Sequence, residues 1–185
     1  VWPGIMLRAA QRARGPRLRR PVSPIAVPGR AESVEWLAHR RPYTDYLTVE
    51  RHQVRHRRYD GAWSEPAMRS TVAWGDGVCV LPWDPATDRV LLVEQFRIAV
   101  AARHDPAPWL IEVVAGRLEA GEDEETTARR EALEEGGVEL GRLAPVPAHY
   151  PSPGLASEHL AMFIAEADLA GIDTGEGHGA AAEGE

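Results

Sequence analysis

Residues 129–137, "RREALEEGG", set three carboxylates, Glu131, Glu134 and Glu135, within five positions. On a helix they stand three and four apart on one face, where like charges repel. A solvated acidic face is the ordinary meaning of such a run, and it should show arginines one turn away. Glu134 has one, because Arg130 lies four residues before it. Glu131 has Thr127, Ala128 and Glu135 at helical spacing, and Glu135 has Glu131 and Ala132, so this pair has no cation at that spacing. At ~100° per residue Glu124 joins the stripe, while Arg129, Arg130 and Leu133 point elsewhere. The stripe reads as one built to hold a positive charge that the chain does not supply.

Around this stretch the chain has 185 residues and one cysteine, and its formal net charge is −7. That is room for one ordinary domain plus an appendage. No apolar run approaches the ~18 residues a membrane span needs, and no secretory signal is evident; the expectation is a cytoplasmic protein without membrane contact. Cys79 in "VCVLPW" reads as a small buried hydrophobe, and one thiol makes neither an internal disulfide nor a zinc cluster. All 21 basic residues are arginine, which excludes Schiff-base and P-loop lysine chemistry. Residues 1–110 hold 17 Arg against 11 acids, giving +6, and residues 111–185 hold 4 Arg against 17 acids, giving −13. Nucleic acid is therefore not an expected partner of the acidic half, whose phosphate contacts would need a cationic bridge.

Residues 1–33 carry seven Arg against one acid, with Pro and Gly scattered through; they read as a basic arm without an assigned role. Residues 34–70 form an expected N-terminal strand subdomain, since "YTDYLTVERHQVRHRRYDG" interleaves aromatic and β-branched residues with charges and ends in the turn pair Asp60-Gly61. "VCVLPW" and "RVLLVEQFRI" flank the turn "DPATD" as buried strands, and "WLIEVVAG" is another. Trp83, Trp109 and Phe96 read as core. A helix begins near Glu122 and stops at Gly136-Gly137. A strand near "RLAPVPAHY", a rigid loop "PSPG" and a strand "HLAMFIAEADL" follow. Strands mixed with one clear helix give an α+β domain over residues 71–185.

Extended upstream, the opening stretch becomes "GRLEAGEDEETTARREALEEGGV", residues 116–138. Its order is Gly116, five residues, Glu122, seven residues, Arg130-Glu131, two residues, Glu134-Glu135, one residue, Gly137, then an apolar residue. This resembles the Nudix box at every fixed position, a far more specific signal than a lone glycine motif. The residue types suit the chemistry. A hard divalent cation takes carboxylate oxygens and keeps waters elsewhere, and Arg130 can hold Glu134, or Glu122 across the loop, by charge-assisted bonds. Glu122 on its own reads as structural, an acid in the first helical turn.

The resemblance covers residues 40–185. "RHRRYDG", "LPWDP", "VEQFR", "PWLIEVVAG" and "YPSPGLASE" are similar to the ADP-ribose pyrophosphatase branch of the Nudix hydrolases. It implies a mixed β-sheet sandwiched between helices, and a homodimer whose N-terminal strands cross to the partner. The implied reaction is hydrolysis of ADP-ribose to AMP and ribose 5-phosphate with Mg2+, or Mn2+. It further implies metal ligation by Glu131, Glu135 and the Ala115 carbonyl, phosphate contacts from Arg97 and Arg69, and a pocket lined by Glu112 and Glu158. Glu183 and Glu185 match the loop carboxylates that supply the general base, and Glu134, beside the metal pair, is the third catalytic candidate. Gly116, Glu122, Arg130 and Gly137 are the structural positions of the motif. Two departures stand out. Ser70 follows Arg69 where the branch has an acid, and the last strand and helix of the pattern have no counterpart after Glu185. The rival readings are a pyrophosphatase of another nucleoside diphosphate derivative, such as a nucleotide sugar or NADH, and a non-catalytic module that binds an ADP-ribose-type ligand.

Overall fold

A computed structural model of the chain describes residues 31–172. Glu183, Glu185 and the basic arm before residue 31 lie outside the described residues. Two compact units divide it: residues 31–76 with 150–159, and residues 77–149 with 160–172.

The first unit is an antiparallel three-stranded sheet in the order β1-β2-β3, with β1 Val34–Thr44, β2 Thr48–His56 and β3 Ala67–Ala73. The first strand starts well before Tyr43, where the alternating texture begins, and the β1–β2 turn falls at residues 45–47. Register shifts between Trp36 and Ala38 and between Arg40 and Tyr43 mark bulges in β1. The segment carrying "PSPG" returns to this sheet, with Ala156 bridging Val72 in parallel.

In the second unit, β4 (Gly77–Asp84) is the central strand. β10 (Leu160–Ala167) pairs along one edge in parallel, and β9 (Leu140–His149) continues the sheet beyond it. The other edge of β4 is shared by β8 (Val114–Arg117) at Gly77–Val80 and by β5 (Arg89–Val90) at Trp83 and Asp84. β6 (Val93–Phe96) and β7 (Trp109–Glu112) form a separate antiparallel ribbon. Thus "RVLLVEQFRI" is two short strands in different sheets followed by one helical turn, α1 (Ile98–Ala101), and "WLIEVVAG" is likewise split into β7 and β8. A continuous apolar run shows no period that would reveal such a break.

The long helix among the described residues is α2 (Glu124–Gly136). Asp123 caps its start, its carboxylate accepting from the Thr126 N–H at 2.8 Å, and Glu124 and Glu125 in the first turn complement the helix dipole. Gly137 ends it at φ 62°, a left-handed conformation that favours glycine, with its N–H on the Leu133 carbonyl and the Val138 N–H on that of Ala132. Ala128, Ala132 and Gly136 recur every four residues as a buried stripe of small residues. The two alanines join Val78, Val80, Val114, Leu118, Val138, Leu140, Ala165, Ala167 and Leu169 in the core.

Three expectations about burial need correction. Trp109 and Phe96 are 51% and 42% exposed, and they pack edge to face on each other at 5.7 Å across the β6–β7 ribbon. Cys79 is only half-buried. In each case a two-stranded ribbon or a pleated strand leaves one face uncovered, which apolar character alone does not predict. Among the described residues no helix is long and apolar enough to cross a membrane.

Candidate metal and hydrolytic site

The small stripe of α2 lets the helix lie close to β8, and the glutamates beside that stripe reach the strand's backbone. Glu135 Oε2 accepts the Ala115 N–H at 3.1 Å, and its Oε1 accepts from the Gln95 amide at 2.6 Å. One turn earlier, the Glu131 carboxylate lies over the Cα of Gly116, where any Cβ would overlap it. The helix thus delivers two carboxylates to consecutive β8 residues.

Arg130 organises the rest. Its Nε and Nη2 each donate to one oxygen of Glu122 at 3.1 Å, its Nη1 donates to Glu131 at 2.7 Å and to Glu134 at 3.0 Å, and Nη2 also reaches the Arg117 carbonyl at 3.2 Å. The bond to Glu131 corrects the sequence reading that this carboxylate has no local cation. Adjacent helical positions do not face each other, but an arginine is long enough to turn its fork back along the helix side. Glu122 likewise precedes the N-cap and does not sit in the first turn. It accepts from Thr127 Oγ1 at 2.9 Å and from the Glu119 N–H at 3.3 Å as well as from Arg130. The Arg130 guanidinium, aided by Thr127 and the Glu119 amide, holds its carboxyl at about 2, below the usual 4.5. The same carboxylates raise Arg130 above its ordinary value, so it stays charged at any working pH.

Arg97 follows β6 and stands at the start of α1. Its Nε and Nη2 form a two-pronged pair with Glu112 of β7 at 2.9 and 2.7 Å, and Nη2 also donates to the Gln95 side-chain carbonyl. Gln95 is 4% exposed. It therefore links the Arg97–Glu112 pair to Glu135 through its two amide ends. Reading the sequence missed Gln95 as a site residue. The signal was a polar amide in an apolar strand next to Arg97, which a buried site would have to satisfy.

Arg69 and Glu158 belong to the first unit. Arg69, on β3, is exposed and donates to the Met68 carbonyl at 3.2 Å, and Glu158 is half-buried. Among the described residues, a tight grouping of three carboxylate or imidazole ligand atoms occurs at His39, Glu50 and His52 in the first unit. The box glutamates are a pair. A pair is enough for Mg2+, which binds through one or two carboxylates and fills its octahedron with waters and substrate phosphates. The donor set fits a hard divalent ion.

The family model of the NUDIX domain matches residues 73–183. The chain belongs to the NUDIX domain family. It is a Nudix hydrolase, an enzyme that hydrolyses pyrophosphate bonds, and Nudix hydrolases generally depend on a divalent metal. It is 39% identical over 153 residues to the ADP-ribose pyrophosphatase of Escherichia coli (strain K12), covering 82% of this chain and 71% of that protein. The ADP-ribose pyrophosphatase of Haemophilus influenzae is 35% identical over 141 residues, 75% of this chain and 65% of its own. A GDP-mannose pyrophosphatase of Salmonella paratyphi B is 37% identical over 92 residues, half of this chain and 48% of its own. A solved structure described as an ADP compounds hydrolase superposes with a TM-score of 0.56 at 16% identity, over 72% of this chain and 67% of that one; this likeness concerns the α+β Nudix fold alone.

The Glu122–Arg130 pair predicts a pH signature of stability. A carboxyl lowered in the folded state stabilises above its ordinary 4.5, and that contribution is lost as pH falls toward about 2. Denaturant unfolding of wild type and Glu122→Gln should therefore differ by a constant amount from neutral pH down to about 4.5, and the two curves should converge below it. A difference that grows on acidification would contradict the pairing.

Proposed function

We propose that this Nudix hydrolase cleaves the pyrophosphate bond of ADP-ribose with Mg2+, releasing AMP and ribose 5-phosphate. The observation that carries the reading is the delivery of Glu131 and Glu135 to Gly116 and Ala115, in a chain similar over most of its length to ADP-ribose pyrophosphatases. Glu131, Glu135 and the Ala115 carbonyl would hold the cation. Bound there, it supplies neutralisation of the diphosphate charge and activation of a water.

The remaining work falls to side chains. Hydrolysis forms one P–O bond from water, breaks the bridging P–O bond, and sends the water's proton to a base. Glu183 or Glu185 is assigned as that base on the resemblance alone. Glu134 and Glu122, tied to Arg130, fix the helix side that carries Glu131. Arg97, held in plane by Glu112 and Gln95, presents a preoriented guanidinium, the fork geometry that suits phosphate oxygens. Arg69 as a second phosphate contact, and Glu112 and Glu158 as pocket residues, are likewise assigned on the resemblance alone. Mn2+ satisfies the same oxygen donors. A homodimer built through the first unit fits the exposed apolar residues of its β1, where Trp36, Leu37 and Tyr43 are 67%, 42% and 52% exposed.

A second reading, hydrolysis of a nucleotide sugar, draws on the similarity to GDP-mannose pyrophosphatase over half the chain. The box sets the reaction, whereas the surrounding loops set the substrate. A product assay on ADP-ribose, GDP-mannose and NADH separates the two. AMP released from ADP-ribose at the highest kcat/KM is the expected result, and no AMP from ADP-ribose in Mg2+ would sink the substrate assignment.

Two variants test the metal pair. Glu131→Gln should lower turnover at least about 10- to 100-fold, the loss typical of even an outer partner of a metal site, with the unfolding midpoint nearly unchanged. Gly116→Ala should behave the same way, because its new Cβ displaces the far end of a flexible side chain and leaves the backbone alone. If Gly116→Ala keeps wild-type turnover, Glu131 is not held where the reaction needs it.

A further inference from the structure

The three-stranded sheet of the first unit carries a second cluster of ligand-type side chains that hydrolysis does not use. His39 of β1 and His52 of β2 are direct cross-strand partners, and Glu50 lies two residues before His52 on the same face of β2. The two imidazoles stack nearly parallel, 11° apart in plane with centroids 4.9 Å apart. Both present Nε2 to one carboxylate, His39 at 3.1 Å from Glu50 Oε1 and His52 at 3.4 Å from Oε2. One ligand atom from each of the three lies within 4.8 Å of the others.

Burial makes this more than a surface grouping. The Glu50 side chain is 0% exposed and that of His52 is 8% exposed, while His39 at 36% leaves one side open to water. A fully buried carboxylate is costly unless positive charge meets it. Arg41 contributes some, donating Nε to Glu50 Oε1 at 3.2 Å from a side chain that is 39% exposed and able to swing outward. Trp36 packs edge-on against His52 at 5.2 Å, and Thr71 Oγ1 stands 3.4 Å from its Nε2.

We propose that His39, Glu50 and His52 bind a transition-metal ion of the zinc class, with water completing the shell on the His39 side. Two imidazole nitrogens and one carboxylate oxygen are a zinc-type donor set with an open fourth position. Neutral imidazole selects Zn2+, Co2+ or Ni2+ over Mg2+, which prefers oxygen. The ion clamps β1 to β2 across a directly paired position, so it acts on the stability of the sheet. This site and the hydrolytic one therefore differ in metal preference, and neither assignment depends on the other.

The test titrates the full chain with Co2+ in excess Mg2+, which occupies the oxygen-donor site, and follows the visible absorption of four-coordinate cobalt. One equivalent should bind with that spectrum and be displaced by Zn2+. The spectrum should be retained in Glu131→Gln and weakened at least about tenfold in affinity in His39→Gln, a substitution of an exposed side chain. In wild type alone, Zn2+ but not Mg2+ should shift the 15N resonances of the His39 and His52 Nε2 atoms. Absence of the cobalt spectrum, its survival at full affinity in His39→Gln, its loss in Glu131→Gln, or unmoved histidine resonances would each overturn the proposal.

Discussion

The closeness with which helix α2 lies against strand β8 governs the hydrolytic site. Ala128, Ala132 and Gly136 present almost no side chain to the sheet, and Gly116 presents none to the helix. With both surfaces stripped, Glu131 rests over Gly116 while Glu135 accepts the Ala115 N–H. A larger residue at Ala128 or Ala132, both fully buried, would push the helix away and lift both carboxylates from the strand, because an interior packed at near-crystalline density has no void to absorb it. A Cβ at Gly116 instead meets only the movable Glu131 side chain.

Arg130 is the complement to this contact. One guanidinium serves Glu122, Glu131, Glu134 and the Arg117 carbonyl. An arginine has five donors in a rigid fork, and a lysine, with three on a flexible stem, could not reproduce the set. This binds the loop before the helix, the helix and the end of β8 into one piece. Glu135 takes a separate route to the same end, through Gln95 to the Arg97–Glu112 pair on the β6–β7 ribbon. Of the two glutamates that would hold a cation, Glu131 is thus met by the Arg130 guanidinium and Glu135 by two uncharged N–H donors before any ion arrives. Both carboxylates are held in place by these bonds, which preorganises the pair.

The two metal-type clusters illustrate how one chain separates cations by chemistry. Around α2 the donors are carboxylates and backbone, suited to a hard ion that keeps its waters. In the first unit the donors are two imidazoles and one buried carboxylate, which favour a borderline ion. Their positions in the sequence reflect their origins: a helix gathers ligands three and four residues apart, and an antiparallel pair gathers His39 and His52 from opposite strands.

The sequence by itself determined the helix, its glycine end and its glutamates, because a glycine cap and a 3.6-residue period are local. Gly137 and the spacing of the box needed no tertiary information, whereas the start, read near Glu122, falls at the Asp123 cap. The α+β class and the strands β4, β9 and β10 were equally legible from their apolar texture. What only the tertiary structure decided is where the runs break and what each polar group meets. The run "RVLLVEQFRI" divides between two sheets, and Arg97 leaves the strand to meet Glu112. Arg130 reaches its own neighbour Glu131, Gln95 joins the site, and His39 finds Glu50 across the ladder. These are contacts between side chains whose meeting depends on strand register and helix depth, and neither is encoded in a residue and its near neighbours.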